Sequence, residues 1–353
     1  MDGTYLHGKF DLNDQVKISI ITPCYNRANE LLFLLESLAN QTIDKNLFEL
    51  IICDDGSTDD TSKLINNWQK KNLFKIKYLK QENRGPGAAR NLGLENSDGD
   101  LIAFIDSDCE ADINWLGIIY KSYKKNNFDA CGGPDGSKEN FTILQKAIDY
   151  SMTSFFTTGG MRGHSKKMIA TFYPRTHNMA VKKSLYQKIG GFGSLRHGQD
   201  IEFSNRVIRS GAYVEFLKDA IVYHRRRTSL KQFFKQVFNW GVARINLYML
   251  DDKMLELVHF LPSFALIGSV IIVFISICLS LPLSKLAMLF ILPLSFLSFL
   301  GCYQKKDFRI FPLLLLVIPI QIFGYGLGFI KAYILRVLLK KSEFTGFVKN
   351  YYK

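Results

Sequence analysis

The residues GDLIAFIDSD at positions 99–108 combine an uninterrupted apolar run with two carboxylates that are one residue apart. The apolar part predicts a strand that is buried on both faces, which is typical of a parallel sheet covered by helices on either side. Ligands of such sheets bind beyond the carboxyl ends of the strands, and Asp106 and Asp108 follow this strand. Two carboxylates in that place can share Mg²⁺ or Mn²⁺, although an isolated Asp-x-Asp is more often a solvated turn.

The chain before this strand alternates between short apolar runs and amphipathic stretches. We predict strands at 16–22, 48–53, 75–79 and 101–105, and helices at 30–40, 61–71 and 87–94. This alternation predicts a mostly parallel sheet with helices on both faces. Asp54 and Asp55 follow the second strand, so we expect them at the same sheet edge as the Asp-Ser-Asp stretch.

The pattern is looser after residue 112. We predict a loop near the site at 157–176, a helix at 201–210, a strand at 212–222 and a basic, aromatic helix at 228–251. Two interpretations of the last helix stay open. It either lies at a membrane interface, with its aromatic side chains towards lipid, or packs on the domain and closes the active site.

The 353-residue chain carries 45 Lys and Arg against 32 Asp and Glu, but its charge is unevenly distributed. Only five charged residues occur in the 74 residues at 257–330. Three apolar segments are predicted there, at 261–281, 286–303 and 310–330. The first and third are long enough to cross a hydrocarbon core of about 30 Å, and the second is short. We therefore predict a soluble domain joined to a membrane domain.

The excess positive charge flanks the apolar block. Arg225, Arg226 and Arg227 precede it, and further Lys and Arg residues follow it. Juxtamembrane basic residues are attracted to anionic lipid head groups, and no zinc finger, RNP-like motif or basic zipper occurs in the sequence. We expect membrane lipid as a partner and no nucleic acid.

Compartment and topology are indicated by three features. The six cysteines form no Cys-x-x-Cys pair, which favours reduced thiols, and residues 1–17 contain no apolar segment of a secretory signal. Lys305 and Lys306 favour a cytoplasmic second loop, so we predict a multi-pass cell-membrane protein whose catalytic domain is cytoplasmic. A third full span would place the basic tail outside, so whether 310–330 crosses the bilayer or forms an interfacial hairpin stays open.

A series of ordered motifs resembles those of inverting family 2 glycosyltransferases. These are ISIITPCYNR at 18–27, CDDGSTD at 53–59, NRGPGAARN at 83–91, DSD at 106–108, HNMA at 177–180, GGF at 190–192 and GQD at 198–200. The resemblance implies a GT-A fold, an α/β nucleotide-diphospho-sugar transferase fold followed here by membrane helices. It is nearest to membrane-anchored bacterial and archaeal exopolysaccharide enzymes of the succinoglycan-synthesis type.

The resemblance also implies roles for particular residues. A nucleotide-sugar donor, with UDP favoured, would be bound by Pro23, Tyr25, Arg27, Asp54, Asp55, Arg84, Arg90, Asp106 and Ser107. A divalent cation, Mn²⁺ or Mg²⁺, would be held by Asp106, Asp108 and His224. Asp200 would be the general base that takes a proton from the acceptor hydroxyl as it attacks the sugar C1.

Several of these assignments have a structural alternative. Asp54 and Asp55 can serve an Asp-Gly turn, and Tyr25 can belong to the core. Arg84 or Arg90 can simply pair with an acid, and a lone histidine such as His224 is often structural.

Two departures from the family pattern qualify the resemblance. Gln199 stands where the family often has Glu, and the segment at 236–240 lacks the Arg of the Gln-x-x-Arg-Trp motif of processive synthases.

We expect a lipid-linked saccharide acceptor in cell-surface polysaccharide biosynthesis, with other assembly proteins as possible partners. The alternatives are a polyprenyl-phosphate glycosyltransferase and a catalytically silent subunit of an export assembly.

The predicted domain boundaries are 1–16, 17–227, 228–256, 257–335 and 336–353.

Overall fold

A computed structural model describes residues 16–136, 138, 141–158, 172–342 and 344–347. Nearly all of the predicted N-terminal extension, most of the predicted loop at 157–176 and the end of the basic tail lie outside the described residues.

The described part of the chain contains ten strands arranged in two sheets. They are β1 Ile18–Cys24, β2 Phe48–Asp54, β3 Lys75–Lys80, β4 Leu101–Phe104, β5 Cys109–Ala111, β6 Ala130–Gly132, β7 Asp135–Gly136, β8 Met179–Lys182, β9 Val214–Phe216 and β10 Val222–His224. Seven form a sheet in the order β3-β2-β1-β4-β8-β6-β9, in which only β8 runs antiparallel to its neighbours. The other three form a small sheet in the order β5-β10-β7.

Twelve α-helices lie in the same described part. They are α1 Ala28–Ala39, α2 Thr61–Lys71, α3 Pro86–Glu95, α4 Trp115–Asn126, α5 Ile143–Thr153, α6 Phe155–Thr158, α7 Lys183–Ile189, α8 Gln199–Arg209, α9 Leu230–Leu250, α10 Leu261–Cys278, α11 Leu283–Lys305 and α12 Phe311–Tyr333. The predicted α/β architecture with a C-terminal helical part is confirmed.

The larger sheet has a core on each face because successive strand residues point to opposite sides. Ile20 of β1 packs with the fully buried leucines of α1, whereas its neighbour Ile21 packs with Phe203 of α8 on the other face. All seven residues of β2 are buried. The continuous apolar runs in the sequence therefore correspond to central strands that are covered on both sides.

The predicted strand at 212–222 is wrong as a single element. β9 pairs with β6 in the large sheet, whereas β10 pairs with β5 and β7 in the small one. Between them the chain turns, with the Ala220 amide donating to the Leu217 carbonyl at 3.1 Å. This turn carries β10 to a different sheet from β9.

Three C-terminal helical segments are long and apolar enough to cross a membrane: Leu257–Cys278, Ser284–Lys305 and Phe308–Leu338. The middle segment is longer than the predicted apolar stretch, because α11 continues to Lys305. The first two are only 11% and 17% buried within the protein, whereas the third is 44% buried. A larger share of the third segment than of the other two is therefore covered by the rest of the protein.

Helix α9 packs on α12 through aromatic and aliphatic side chains. Phe233 and Val237 are fully buried, and Phe238 is 8% exposed. Phe233 and Val237 share a core with Leu314 of α12 and Ile148 of α5. For these residues the packed-helix interpretation is right, since they do not face lipid.

Two of the basic residues predicted to face lipid head groups do not face them. The Arg226 guanidinium is buried and contacts Asp135 at 2.7 Å and Asp149 at 2.8 Å. Arg225 pairs with Glu110 at 2.8 Å and stacks 3.7 Å from the ring centre of Phe33. Ion pairs with these acids, which are distant in sequence, hold the two arginines against the rest of the protein.

Candidate functional site

The carboxyl ends of the central strands meet at one edge of the large sheet. Cys24 of β1 lies beside Asp54 of β2, and Ile21 lies beside Phe104 of β4. Directly after β4 the chain turns at the Asp-Ser-Asp stretch, where the Cys109 amide donates to the Asp106 carbonyl at 3.1 Å. The two predicted acidic clusters therefore lie at the same edge of the sheet, on either side of β1.

Arg90 of α3 pairs with Asp106 at this edge. Its Nη2 lies 2.6 Å from Asp106 Oδ1, and the guanidinium lies 5.5 Å from the ring centre of Phe192. Arg90 is only 6% exposed, and its Nε has no hydrogen-bond partner. The arginine thus partly neutralises Asp106 and keeps one buried donor available.

Asp108 and His224 form the centre of a candidate metal site. Asp108 Oδ1 lies 3.3 Å from His224 Nε2, and one ligand atom each from Asp108, Cys109 and His224 lie within 4.8 Å of one another. Burial opposes the charge of Asp108, but His224, Arg27 and Arg227 outweigh it and lower the pKa of that carboxyl. Burial raises the pKa of the Cys109 thiol, so oxygen and imidazole nitrogen are the available donors.

Asp106 is absent from the candidate metal groups found among the described residues. One group is the set of Asp108, Cys109 and His224 described above, and the other combines His224 with Asp135 and His177. The ring centres of His177 and His224 lie 5.2 Å apart. Asp135 already contacts Arg226 at 2.7 Å. An oxygen and nitrogen donor set built on Asp108 and His224 fits Mn²⁺ better than Mg²⁺, because Mg²⁺ prefers oxygen ligands alone.

Asp54 and Asp55 have different environments although they are adjacent. Asp54 is fully buried, and its carboxylate accepts hydrogen bonds from the Ser57 amide at 2.7 Å and the Tyr78 hydroxyl at 2.5 Å. Asp55 accepts from the backbone amides of Arg84 and Gly85, each at 2.8 Å. Both carboxylates stabilise turns, and Asp55 also lines a cavity at this sheet edge.

This first cavity, which we name the strand-edge cavity, has a volume of about 230 Å³. Most of the predicted donor-binding residues line it: Pro23, Tyr25, Arg27, Asp55, Arg90, Asp106 and Ser107. Asp54 and Arg84 are not among its lining residues, and Arg84 is exposed. Tyr25 is 41% exposed, so it is not part of the core.

A second cavity of about 330 Å³, the membrane-side cavity, begins at the same acidic residues. Both cavities are lined by Arg90, Asp106, Asp108, Arg196, His197 and Arg227. The second cavity extends past Asp200 to α9 and to Pro262 of α10 and Tyr325 of α12. It therefore connects the candidate metal site with helices that could enter a membrane.

Asp200 lies in the first turn of α8, beside Gly198, whose φ of +85° begins the helix. Its Oδ2 contacts Arg175 Nη1 at 3.2 Å. Burial raises the pKa of Asp200, but Arg175, Arg90 and His177 outweigh it, so the pKa lies below its usual value. Anions are also favoured at a helix N-terminus, so Asp200 is ionised at neutral pH. The preceding Gln199 is buried against Gly87 of α3.

Several cavity residues were not anticipated from the sequence. They are Arg175, Arg196, His197, Arg244, His259, Gln321, Tyr325 and Phe347. Arg175 lies two residues before His177 of the HNMA motif, and Arg196 and His197 directly precede Gly198, so proximity to motifs was the available signal. Phe347 belongs to the tail, and its amide and carbonyl bond to the Asn239 side chain at 2.8 and 2.9 Å. No local pattern indicates that contact.

The chain is similar in sequence to known glycosyltransferases. Residues 19–190 match the family described as Glycosyl transferase family 2. The glycosyltransferase AglE of Haloferax volcanii is 28% identical over 253 residues, which cover 71% of this chain and 80% of AglE. Relatives from Rickettsia species match over 16% to 18% of their own length, because they are much longer.

Solved structures share the fold. The mannosyltransferase PcManGT of Pyrobaculum calidifontis, in complex with GDP-Man and Mn²⁺, superposes with a TM-score of 0.59 at 16% identity over 87% of each chain. Residues 1–349 of Staphylococcus aureus TarS, in complex with UDP, give 0.50 at 20% identity over 94% of each chain. At these identities the likeness concerns the GT-A-like α/β fold alone.

Proposed function

We propose that the chain is a family 2 glycosyltransferase that transfers a sugar from a nucleotide diphosphate donor to a lipid-linked saccharide with inversion at C1, a proposal supported by the family match at residues 19–190. The observation that carries this proposal is the meeting of two cavities at Asp106 and Asp108. One cavity lies at the strand ends, and the other contains Asp200 and leads to the apolar helices. A donor and an acceptor could therefore approach one point from two sides.

The strand-edge cavity is the proposed donor site. Pro23 and Tyr25 offer flat apolar surfaces for a base, and Asp55 offers carboxylate oxygens near a ribose or base edge. Arg90 and Arg27 supply positive charge near the diphosphate. UDP is our preferred nucleotide, supported by the UDP complex of TarS, whereas the GDP-Man complex of PcManGT makes GDP the competing choice.

The proposed cation ligands are Asp108 and His224, with Asp106 contributing through the oxygen that Arg90 leaves open. A divalent cation bound there would neutralise negative charge on the leaving diphosphate. The chain itself supplies Arg90 and Arg227 beside the same residues, so part of that charge is balanced by the protein.

Asp200 is the proposed general base. It lies in the membrane-side cavity, which also contains Asp106 and Asp108, and it is ionised because Arg175 and the helix N-terminus favour the anion. An ionised carboxylate there can accept the proton of an acceptor hydroxyl while the sugar C1 is attacked. His197 and Trp240 line the same space and help to exclude water.

The cell membrane is the proposed location, with the catalytic domain in the cytoplasm. We propose that α10 and α11 cross the bilayer as a hairpin, and that α12 lies against α9 on the catalytic side. The support is that the segments before and after α12 both contact helices of the catalytic side. Lys305 contacts Asp149 of α5 at 2.5 Å, and Phe344 accepts a hydrogen bond from Asn246 at 3.0 Å.

The test uses the full chain in detergent with Mn²⁺, radiolabelled UDP and GDP sugars, and a mixture of lipid-linked oligosaccharides. We expect wild type to extend the lipid-linked saccharide with one class of nucleotide sugar. Asp200→Asn should reduce transfer about 10²- to 10⁴-fold while donor binding is retained. Asp108→Asn should instead weaken cation-dependent donor binding.

Three results would contradict parts of this proposal. Full activity of Asp200→Asn would show that Asp200 is not the general base. Undiminished transfer in the presence of a chelator would show that the reaction needs no divalent cation. A product with a single sugar attached directly to polyprenyl phosphate would show that the acceptor is polyprenyl phosphate and not a lipid-linked saccharide.

A further inference from the structure

The membrane-side cavity contains a buried positive charge that no acid balances. Arg244 of α9 is 8% exposed, and its Nη1 donates to the Met254 carbonyl at 3.0 Å. Within the described ranges, no carboxylate lies within 4.0 Å of its guanidinium, unlike the buried Arg226 with its two aspartates. A buried charge is normally paired, because its hydration is lost. Arg244 is therefore an exception that calls for an anion.

The surroundings of Arg244 keep its charge unbalanced. Burial lowers the pKa of Arg244, the neighbouring Tyr325 opposes this shift, and the charge of Arg175 adds to it. Tyr325 lies beside the guanidinium, but its buried hydroxyl makes no hydrogen bond of ordinary geometry. The Tyr325 hydroxyl thus has no hydrogen-bond partner, and it lies beside a guanidinium whose charge no carboxylate of the described residues balances.

Other polar atoms in the same cavity are also unsatisfied. Gln236 Oε1 and Arg175 Nε are buried without a hydrogen-bond partner, and both side chains line the cavity with Arg244 and Tyr325. A buried polar atom without a partner costs about 1–3 kcal/mol, so three such atoms, counting the Tyr325 hydroxyl, beside the unbalanced charge of Arg244 indicate a polar ligand. The donors would bind an anion, and the Gln236 oxygen would accept from a hydroxyl group.

We propose that Arg244 and the Tyr325 hydroxyl bind a phosphate group of the polyprenyl carrier that bears the acceptor sugar. This inference rests on the proposed lipid-linked acceptor and assigns the place of its head group. Arg244 and Tyr325 line only the membrane-side cavity, whereas Asp106 and Asp108 line both cavities. The phosphates of the nucleotide donor are the other possible source of an anion, but they belong on the strand-edge side.

The apolar helices explain why the anion would carry a lipid. Pro262 of α10 and Ile322 of α12 line the cavity next to Arg244, and both helices are mainly apolar. Gln321 of α12 is a buried polar residue within an apolar helix and lines the cavity as well. Polar residues in such helices typically border a substrate path. A phosphate held by Arg244 could thus have its prenyl chain among the helices and its sugar towards Asp200.

The test measures the binding of three probes to the full chain in detergent by calorimetry. The probes are farnesyl diphosphate, farnesol and inorganic diphosphate with Mn²⁺. We expect Arg244→Gln to weaken farnesyl diphosphate about 10- to 100-fold and Tyr325→Phe to weaken it less, because charged hydrogen bonds are the stronger ones. Binding of farnesol and inorganic diphosphate should not change. Arg309→Gln is the matched control, since Arg309 is exposed and lies outside both cavities.

A second variant separates the loss of charge from a loss of folding. Arg244→Lys keeps the charge and should bind farnesyl diphosphate more tightly than Arg244→Gln does. The inference is overturned if Arg244→Gln binds farnesyl diphosphate as wild type does, or if it weakens inorganic diphosphate equally. Failure of the proposed function would look different, since wild type would then bind farnesyl diphosphate but transfer no sugar to any lipid-linked saccharide.

Discussion

Arg175 is paired with the proposed base, and this pairing has a consequence for the pH dependence of the reaction. The contact of 3.2 Å between Arg175 Nη1 and Asp200 Oδ2 lowers the pKa of the carboxyl, although burial raises it. Asp200 acts in its ionised form, so a lower pKa extends activity towards acidic pH. The same interaction makes Asp200 a weaker base, because the proton must be taken up beside a positive charge.

Arg175→Gln should therefore move the acidic limb of kcat/KM to higher pH, because the nearby opposite charge that lowers the pKa of Asp200 is lost. Activity at pH 5 would fall relative to activity at pH 7.5. The measurement is a pH–rate profile of wild type and variant, with Arg209→Gln as the control because Arg209 forms an exposed pair with Asp251. An unchanged acidic limb would show that Arg175 does not set the ionisation of Asp200.

His197 lies in the wall between the two cavities and is uncharged at neutral pH. Burial lowers its pKa to about 4, and the neighbouring Arg196 adds to this shift. The side-chain nitrogen of Asn239 lies 3.1 Å from His197 Nε2, which suits a neutral ring that accepts a hydrogen bond. Since Asn239 also binds Phe347 of the tail, protonation of His197 would disturb both contacts.

The stability of the protein should depend on His197 between about pH 6.5 and pH 4. The unfolded chain binds this proton near pH 6.5, whereas the folded chain does so only near pH 4, so acidification favours unfolding in that window. The loss amounts to roughly 3 kcal/mol at the acidic end. We expect the Tm of wild type to fall more between pH 7 and pH 4 than that of His197→Gln. Parallel curves would contradict the assignment.

The contrast between Asp54 and Asp55 shows which features of the site a sequence motif predicts and which it does not. The sequence placed both at the correct sheet edge, because they follow a recognisable strand. Which carboxylate reaches the cavity depends on the alternation of the strand: Asp54 points to Tyr78 of β3, and Asp55 to the turn at 84–85. Arg244 and Tyr325 were beyond prediction, since they meet only through the packing of α9 on α12.

Helices α9 and α12 approach each other through glycines. An added Cβ on Gly328 would lie 2.0 Å from the Phe238 carbonyl oxygen, and one on Gly241 would lie 2.2 Å from the Tyr325 carbonyl oxygen. Both contacts are with backbone, which cannot rotate away as a side chain can. The close approach places Arg244 and Tyr325 on facing helices, so the geometry of the membrane-side cavity depends on these glycines.

Gly328→Ala should therefore separate the two helices, destabilise the protein by about 1–3 kcal/mol and lower activity, because overpacking forces the backbone to shift. Gly268→Ala is the matched control, since nothing lies within 4 Å of an added Cβ at that position of α10. The measurement is Tm in detergent together with transfer activity. Equal Tm values for the two variants would show that the helices tolerate separation.

Elements with strong periodicity were predicted well, and elements defined by distant partners were not. The helix at 61–71 was predicted with the bounds of α2, because its apolar residues recur on one face. The apolar segments were also recognised, but their different burial was not. α12 has a mean hydropathy similar to that of α11, and only its packing on α9 and α5 shows that much of it is covered by protein.

The covered position of α12 bears on how the chain meets the membrane. α9 carries buried polar residues along its length, including Asn239, Arg244 and Asn246, so it is unsuited to span a bilayer. α12 packs along α9, and both flanks of α12 contact α5 or α9. If α9 belongs to the cytoplasmic side, α12 and the basic tail belong there too. This arrangement agrees with the preference of Lys and Arg for the cytoplasmic side and removes the conflict that a third span creates.

This topology predicts the labelling of three single cysteines by a membrane-impermeant maleimide, in a background where the exposed Cys278 is replaced by Ser. Lys341→Cys in the tail should behave like Asn126→Cys in the catalytic domain, with both labelled only in inverted vesicles. Ser280→Cys, in the turn between α10 and α11, should be labelled only in intact cells, because two spans place that turn on the opposite side. Labelling of Lys341→Cys in intact cells would instead require α12 to cross the bilayer, and the contact of Phe344 and Phe347 with α9 would then be impossible.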